Sequence, residues 1–418
     1  MNTVKSWRVG MGIQLTLKLF ITIVTFSWSL FEGRAFAFEQ AAVLPKGVRR
    51  VQFTSFNVHA SSFFNAAGRL QPLGQKLERS LTFGDVARGA DGVEQNSLAG
   101  LMLSEGYSLD DVAGSFNGTM HVDVAGAIWS AAYGISDRWT IGIGSAWVRG
   151  QSRSAIGFVP TKSATDFANA VSSRGGQSAA ERYCQGMNAA VDTLQNTLVS
   201  RGFNRLGQWK GEGASDMQVI AKQRNHQGQW INIASRIGVN LPTGRKDDPN
   251  ELADVAFSEG SLGTLVGGMS DVKLTKTSFI NAGALYTWFG PSTQDERLPA
   301  ADNEDEWQLQ SVQVGKRGIV RTDVSLQGVS LWGLSWGVGH LYEMREAVQR
   351  SNDEGFRAVD PATQQQLAQV KFGFNGVDFY RRGKIPMPFV FEVSGESAFA
   401  GRNEEQVRRV LGELQAFF

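Results

Sequence analysis

Apolar and polar residues alternate along much of this chain with a period of two. Between Trp230 and Leu241, Ile231, Ile233, Ile237, Val239 and Leu241 share one face, and Asn232, Arg236 and Asn240 share the other. That period belongs to a strand with two unlike faces, because successive side chains point to opposite sides. Trp139, Ile141, Ile143 and Trp147 form a second apolar face bounded by tryptophans, and Ile280, Ala282, Ala284, Tyr286 and Trp288 a third. Val370, Phe372 and Phe374 repeat the scheme, as do Met387, Phe389, Phe391 and Val393. The chain closes on it too: Val410, Gly412, Leu414, Ala416 and Phe418 fall on one face, and Arg409, Leu411, Glu413 and Gln415 on a mostly polar one.

The pattern predicts about twelve strands, near 48–60, 118–134, 138–150, 214–225, 229–242, 261–273, 276–290, 307–328, 330–346, 365–380, 386–399 and 405–418. A further hairpin hidden in 307–335 would make fourteen. The connections sort by parity. On one side lie the short turns Ile135 to Arg138, Asn225 to Gln229 and Arg381 to Ile385. On the other lie 61–117, 151–213, 243–260, 291–306 and 347–364, most of them long. Short inner turns with long outer loops characterise transmembrane antiparallel barrels, and a soluble sandwich has no reason to sort its loops this way. The expected fold is therefore all-β: an antiparallel membrane barrel with helical insertions in its long outer loops. Its lipid face would carry the isoleucines, with Arg236 turned to the lumen.

The ends of the chain agree. Lys5 and Arg8, an apolar run from Leu19 to Phe31 and the small-x-small triplet Ala35, Phe36, Ala37 read as an export leader over 1–37. Residues 38–418 would then be the barrel, with 61–117 and 151–213 as long insertions or a plug. Past the leader no stretch approaches the roughly 18 apolar residues of a membrane helix. An exported chain can still cross as a closed barrel, where strands satisfy one another's backbone groups. Phe418 resembles the terminal aromatic that the barrel-assembly machinery reads as an insertion signal.

Composition narrows the function. With 48 Gly, 26 Phe, 11 Trp and 10 Pro the profile is β-rich, and a net charge of +1 gives no basic excess for nucleic acid. Cys184 is the sole cysteine, which excludes an intrachain disulfide and a thiolate cluster. His59, His121, His226 and His340 lack ligand spacing, and no nucleophile elbow, zinc-protease or phosphate-loop motif occurs, so neither an enzyme nor a cofactor is expected. Asp302, Glu304, Asp305 and Glu306 crowd one outer loop but lack the glycine-centred spacing of a calcium site.

Two groups of residues are candidates for function. Asn232, Arg236, Asn240, Lys371, Glu392, Glu396, Arg409 and Glu413 fall on the faces expected to line the lumen. Opposed charges there can line a selective path or form a structural network. The second group lies on a helix in 151–213. Ser178 and Glu181 form a capping box, Tyr183, Met187, Ala190, Leu194 and Leu198 recur at helical spacing, and Gly202 stands at the expected stop. At ~1.5 Å per residue this helix is about 30 Å long, enough to span a barrel mouth as a lid; docking on neighbouring loops is the simpler reading.

Two short motifs carry a resemblance. Tyr133-Gly134-Ile135-Ser136-Asp137-Arg138-Trp139 makes a tight turn between aromatic-bounded strands, and Leu241-Pro242-Thr243-Gly244 ends a strand. Together they resemble the outer-membrane family assigned to the meta-pathway of phenol degradation. That family is related in architecture to the long-chain fatty-acid and aromatic-hydrocarbon transporters. The resemblance implies an outer-membrane channel for small hydrophobic or aromatic solutes. Its partners would be the bilayer, lipopolysaccharide, the assembly machinery and the solute, with no catalytic residue carried over and no oligomeric state implied. A general or ion-selective pore and a closed scaffold barrel are the alternatives. The fatty-acid transporters hold a plug inside the barrel; here 61–117 is the segment expected to fold inward, and 38–47 is too short to do so.

Overall fold

The computed structural model describes residues 40–88, 99–173, 190–300, 306–330 and 332–418. The expected leader, the capping box, Tyr183, Cys184, Met187, Asp302, Glu304 and Asp305 lie outside these residues. Twelve strands form one antiparallel ring. They are β1 (Arg49–Phe64), β2 (Val112–Ser136), β3 (Trp139–Pro160), β4 (Met217–Gln227), β5 (Ile231–Leu241) and β6 (Gly263–Lys273). The others are β7 (Ser278–Phe289), β8 (Arg317–Val329), β9 (Leu334–Arg345), β10 (Thr363–Asn375), β11 (Phe389–Arg402) and β12 (Glu404–Phe417). Each strand pairs with the next, and β1 also pairs with β12 from Arg50 opposite Phe417 to Phe64 opposite Glu404. Closure leaves the ring no open edge, as a lipid-immersed sheet requires.

The alternation builds the outer surface. Val51 and Phe53 on β1, Ile141 and Ile143 on β3, Ile237 on β5, Val266 on β6, Val370 and Phe372 on β10 and Leu414 on β12 are all exposed on its outside. Trp139, Trp230, Trp332, Trp336 and Phe418 are exposed toward the inner turns, and Trp147 and Trp288 toward the outer loops. An apolar band between aromatic girdles is the surface that a bilayer solvates. The chain is a transmembrane antiparallel β-barrel.

Three expectations need correction. Trp307–Val314 is not part of a long barrel strand, nor half of an extra hairpin in the ring. It belongs to a separate four-stranded sheet with Ser292–Pro299, Val348–Ser351 and Arg357–Asp360, built from two outer loops, so the ring stays at twelve. β2 and β3 run 25 and 22 residues, well past the ends read from sequence. Beyond the band their faces change character: Val122, Val124 and Val148 are buried inside, while His121 and Arg149 are exposed outside. That half of the barrel behaves as a soluble sheet wrapped around an apolar core. The third correction concerns the N-terminal segment, which enters the barrel.

Candidate functional site

The lumen has three levels, each closed by a different part of the chain. At the inner mouth, residues 40–48 cross the interior. Gly47 N donates to Gly134 O at 2.8 Å, Gly134 N donates back to Val48 O at 2.9 Å, and Leu44 N donates to Thr140 Oγ1 at 2.8 Å. Farther along, Ala41 N donates to Asp271 Oδ2 at 2.9 Å, and Lys222 Nζ donates to Gln40 O. Ala41 is fully buried against Ala234 and Met269. The segment thus runs from the β2–β3 wall to the β4–β6 wall. The reason lies in extended reach: eight residue-to-residue steps at ~3.3 Å each cover about 26 Å, too little for a folded plug but enough for an extended crossing. Gly134 makes room, since a Cβ there would stand 2.0 Å from Pro45 O.

At mid-height the lumen holds a polar network. Arg409 on β12 donates to Glu396 on β11 at 3.0 Å, with the two side chains 1% and 2% exposed. Gln369 on β10 donates to the second Glu396 oxygen at 2.9 Å. Lys371 donates to Glu392 at 3.2 Å, and Gln52 on β1 donates to Glu413 at 3.0 Å. The registers explain the pairing, because Glu396 stands opposite both Gln369 and Arg409 across its two ladders. Across the ring, Arg236 and Asn240 are buried on β5, and Asn232 is partly buried. Asn240 does not turn to the β10–β12 network. It instead donates to Asp216 Oδ2 at 3.0 Å.

Asp216 organises the third level. It accepts from Gly244 N and Glu259 N, each at 3.0 Å, and so pins both ends of the connection between β5 and β6. That connection folds inward. Leu252, Ala253, Val255, Ala256 and Phe257 are all buried, against Val124, Val148, Leu341 and Leu367 of the barrel wall among others. A motif read in the sequence as a strand end, Leu241-Pro242-Thr243-Gly244, is the bend that aims this loop into the lumen. A Cβ on Gly244 would stand 2.6 Å from Phe257 O. The sequence reading passed over 243–260 as a plain outer loop. Its signal was the cluster of Leu252, Ala253, Val255, Ala256 and Phe257 around Asp254, more apolar surface than an outer loop ordinarily leaves in water.

Among its described residues, the 61–117 insertion reaches the same core through Leu73–Leu77, a short 3-10 turn that buries Leu73 and Leu77 there. Phe83, Met102 and Phe167 form a separate cluster with the helix Lys162–Ser173, which the sequence reading missed. The predicted long helix is described only over Ala190–Ser200. There Leu194 and Leu198 are buried, and Gly202 takes a left-handed φ of +83°. Leu198 and Phe203 pack into the core beside Trp307, so the helix is docked on neighbouring loops.

Between the inward loop, the four-stranded sheet and the rim of β8, β9 and β12 lies a cavity of about 450 Å³. Half of the residues that line it are charged, and Phe63, Phe203, Leu252, Val314, Ile319 and Val348 supply most of the apolar part. Ion pairs staple its walls. Glu259 of the inward loop binds Arg317 on β8 and lies 3.3 Å from Arg345 on β9, and Arg350 of the four-stranded sheet joins Glu296 and Asp360. Asp247, also in the lining, is pushed up to about 7, first by burial and then by the nearby Asp254, against the pull of Arg350 and Arg245. Burial likewise raises Asp254 and Asp360. The cavity can therefore hold a small guest between apolar side chains and a charged wall in which Asp247 is poised to take up a proton near neutrality.

No protein-family model matches the sequence, and no curated protein does. Several solved structures resemble the fold. An outer membrane channel from Pseudomonas putida F1 is 10% identical with a TM-score of 0.49, over 90% of this chain and 98% of that one. The CymD monoaromatic hydrocarbon channel is 8% identical with a TM-score of 0.31, over 90% and 88%. The Ralstonia pickettii toluene transporter TbuX is 8% identical with a TM-score of 0.33, over 90% of both chains. These likenesses are remote; the barrel assignment rests on the closed ring of strands and its outward apolar band.

Proposed function

We propose that this chain is a channel of the bacterial outer membrane that admits small hydrophobic or aromatic solutes one at a time. The observation that carries the reading is the cavity inside the outer mouth. Its volume of about 450 Å³ lies within the usual range for small-molecule sites, and the apolar side chains Phe63, Phe203, Leu252, Val314, Ile319 and Val348, set in a wall of paired charges, offer a surface for a one- or two-ring guest. The levels beneath it, an ion-paired network and the 40–48 crossing, are arranged to hold back water and ions until they move. Asn232, Arg236, Asn240, Lys371, Glu392, Glu396, Arg409 and Glu413 line the path in this proposal. Leu194 and Leu198 support the outer loops and do not gate them.

Binding tests the reading. With the protein in phosphatidylcholine nanodiscs, toluene should displace an apolar fluorescent probe from the cavity. Val348→Trp, which fills the lining, should weaken that displacement at least tenfold. Probe binding that is absent, or indifferent to the filled cavity, ends the proposal. A second reading, an ion-selective pore, draws on the lumenal pair Lys371–Glu392. Under it, Glu392→Gln shifts the reversal potential toward anions; an unchanged potential rejects it.

A further inference from the structure

On the outside of the barrel, charge is confined to one sector. Apart from His340 on β9 and Arg402 at the tip of β11, beside β12, the outward positions of β5 to β11 carry apolar, small or uncharged polar residues, among them Val266, Trp288, Val324, Val338, Phe372 and Phe399. On β12, β1, β2 and β3 the apolar band gives way abruptly to cations. Arg408 follows Val410 on β12, and Arg149 and Arg153 follow Trp147 on β3. The registers place Arg408 opposite His59, His59 opposite Asp123, Asp123 opposite Gln151, and Gln151 opposite Lys210 on the edge strand Gln208–Ala214. At ~4.8 Å per strand this row is about 19 Å wide. Arg149 lies two residues beyond Trp147 and Arg153 six, so along the strand they stand roughly 7 to 20 Å past the outer girdle.

The two acids in the patch are occupied: Asp123 pairs with His59 at 2.8 Å and Glu212 with Arg149 at 3.2 Å. Arg408, Arg153 and Lys210 are exposed and have no acidic partner among the described residues. The burial inside β1 to β3 explains why this wall stands so tall, but it does not call for cations on the opposite face. Fixed positive charge at headgroup height, on one sector only, complements a phosphorylated lipid lying against that sector.

We propose that Arg408, Arg153 and Lys210 form a docking site for the phosphorylated disaccharide of lipid A, with His59 and His121 at its centre. The ligand would lie flat on β12–β1–β2–β3, its acyl chains on the apolar band below and its phosphates on the cations above. The proposal rests on the outer-membrane reading and names the lipid that one sector would hold.

The test compares the full chain with an Arg408→Gln, Arg153→Gln, Lys210→Gln triple variant, using exposed positions that the fold does not need. Each protein is inserted into phosphatidylcholine vesicles, and folding is checked by its shifted migration on unheated gels. Binding is then measured with bisphosphorylated lipid A and with the same lipid stripped of phosphate. The parent chain should prefer the phosphorylated lipid. The triple variant should lose on the order of 100-fold in affinity for it, at about one surface-lysine equivalent per charge removed, and change little toward the stripped lipid. Equal binding of both lipids, or an unaltered triple variant, overturns the proposal while leaving the membrane barrel intact. Failure of the parent chain to insert would instead sink the reading beneath it.

Discussion

Replacing Glu396 by Gln tests whether the mid-lumen is dry. Glu396 and Arg409 meet at 3.0 Å with side chains 2% and 1% exposed. Removing one partner of such a pair strands the other charge in a low-dielectric interior, which typically costs 3–5 kcal/mol. Glutamine keeps the shape and can still accept from Gln369, so the loss isolates the charge. Replacing both residues by leucine should cost far less than either single change, because no charge is then stranded. Urea unfolding in lipid vesicles, followed by tryptophan fluorescence, gives the three stabilities by linear extrapolation. A loss of about 3–5 kcal/mol is expected for Glu396→Gln and a much smaller one for the double leucine. A loss below about 1 kcal/mol would match a solvated pair and refute the closed interior, since water would then fill the lumen at that height.

Three further outcomes follow from the other levels. Phe257→Ala empties a fully buried site of the inward loop, at a cost of about 3–5 kcal/mol, and should expose 243–260 to protease while the barrel stays heat-resistant on gels. Gly134→Val drives a side chain into Pro45 O and should release 40–48 from the inner mouth, read as faster amide exchange at Ala41 and Leu44. Asp247, raised from 3.8 to about 7, holds its proton in the folded loop at pH values where the unfolded chain has lost it. Loop docking is therefore strongest below about pH 4 and weakens as pH rises toward 7, and Asp247→Asn should abolish that slope in protease protection.

Much of the barrel is legible because two solvents impose period two on it. Ile231 to Leu241 and Val410 to Phe418 must present one face to lipid, so their hydrophobic residues cannot drift. The same rule hid the ends of β2 and β3. Past Trp147, Gln151 to Pro160 is still strand, but water lies outside it and apolar packing inside, so the lipid pattern stops while the pairing continues. Trp307–Val314 reads as a strand because Trp307 and Leu309, then Val312 and Val314, recur every second residue; the switch of face between the two pairs, which leaves Leu309 exposed and Gln310 buried, marks it as a strand outside the ring. The interior was the least legible part. Which loop turns inward depends on Asp216 gathering Gly244 and Glu259, a contact between residues far apart in the chain. Residues 40–48 were misjudged by length, since a plug was weighed as a folded body and not as one extended crossing.

The central claim is that a small aromatic solute passes through this barrel. The most direct measurement is the initial rate of radiolabelled toluene uptake by intact cells that carry the chain in an otherwise tight outer membrane. It should be run beside Val348→Trp cells expressing equal amounts of folded barrel. The account predicts a rate well above the empty-vector control for the parent chain and a return toward that control for the filled cavity. Uptake no faster than the control, or equally fast with the cavity filled, would contradict it.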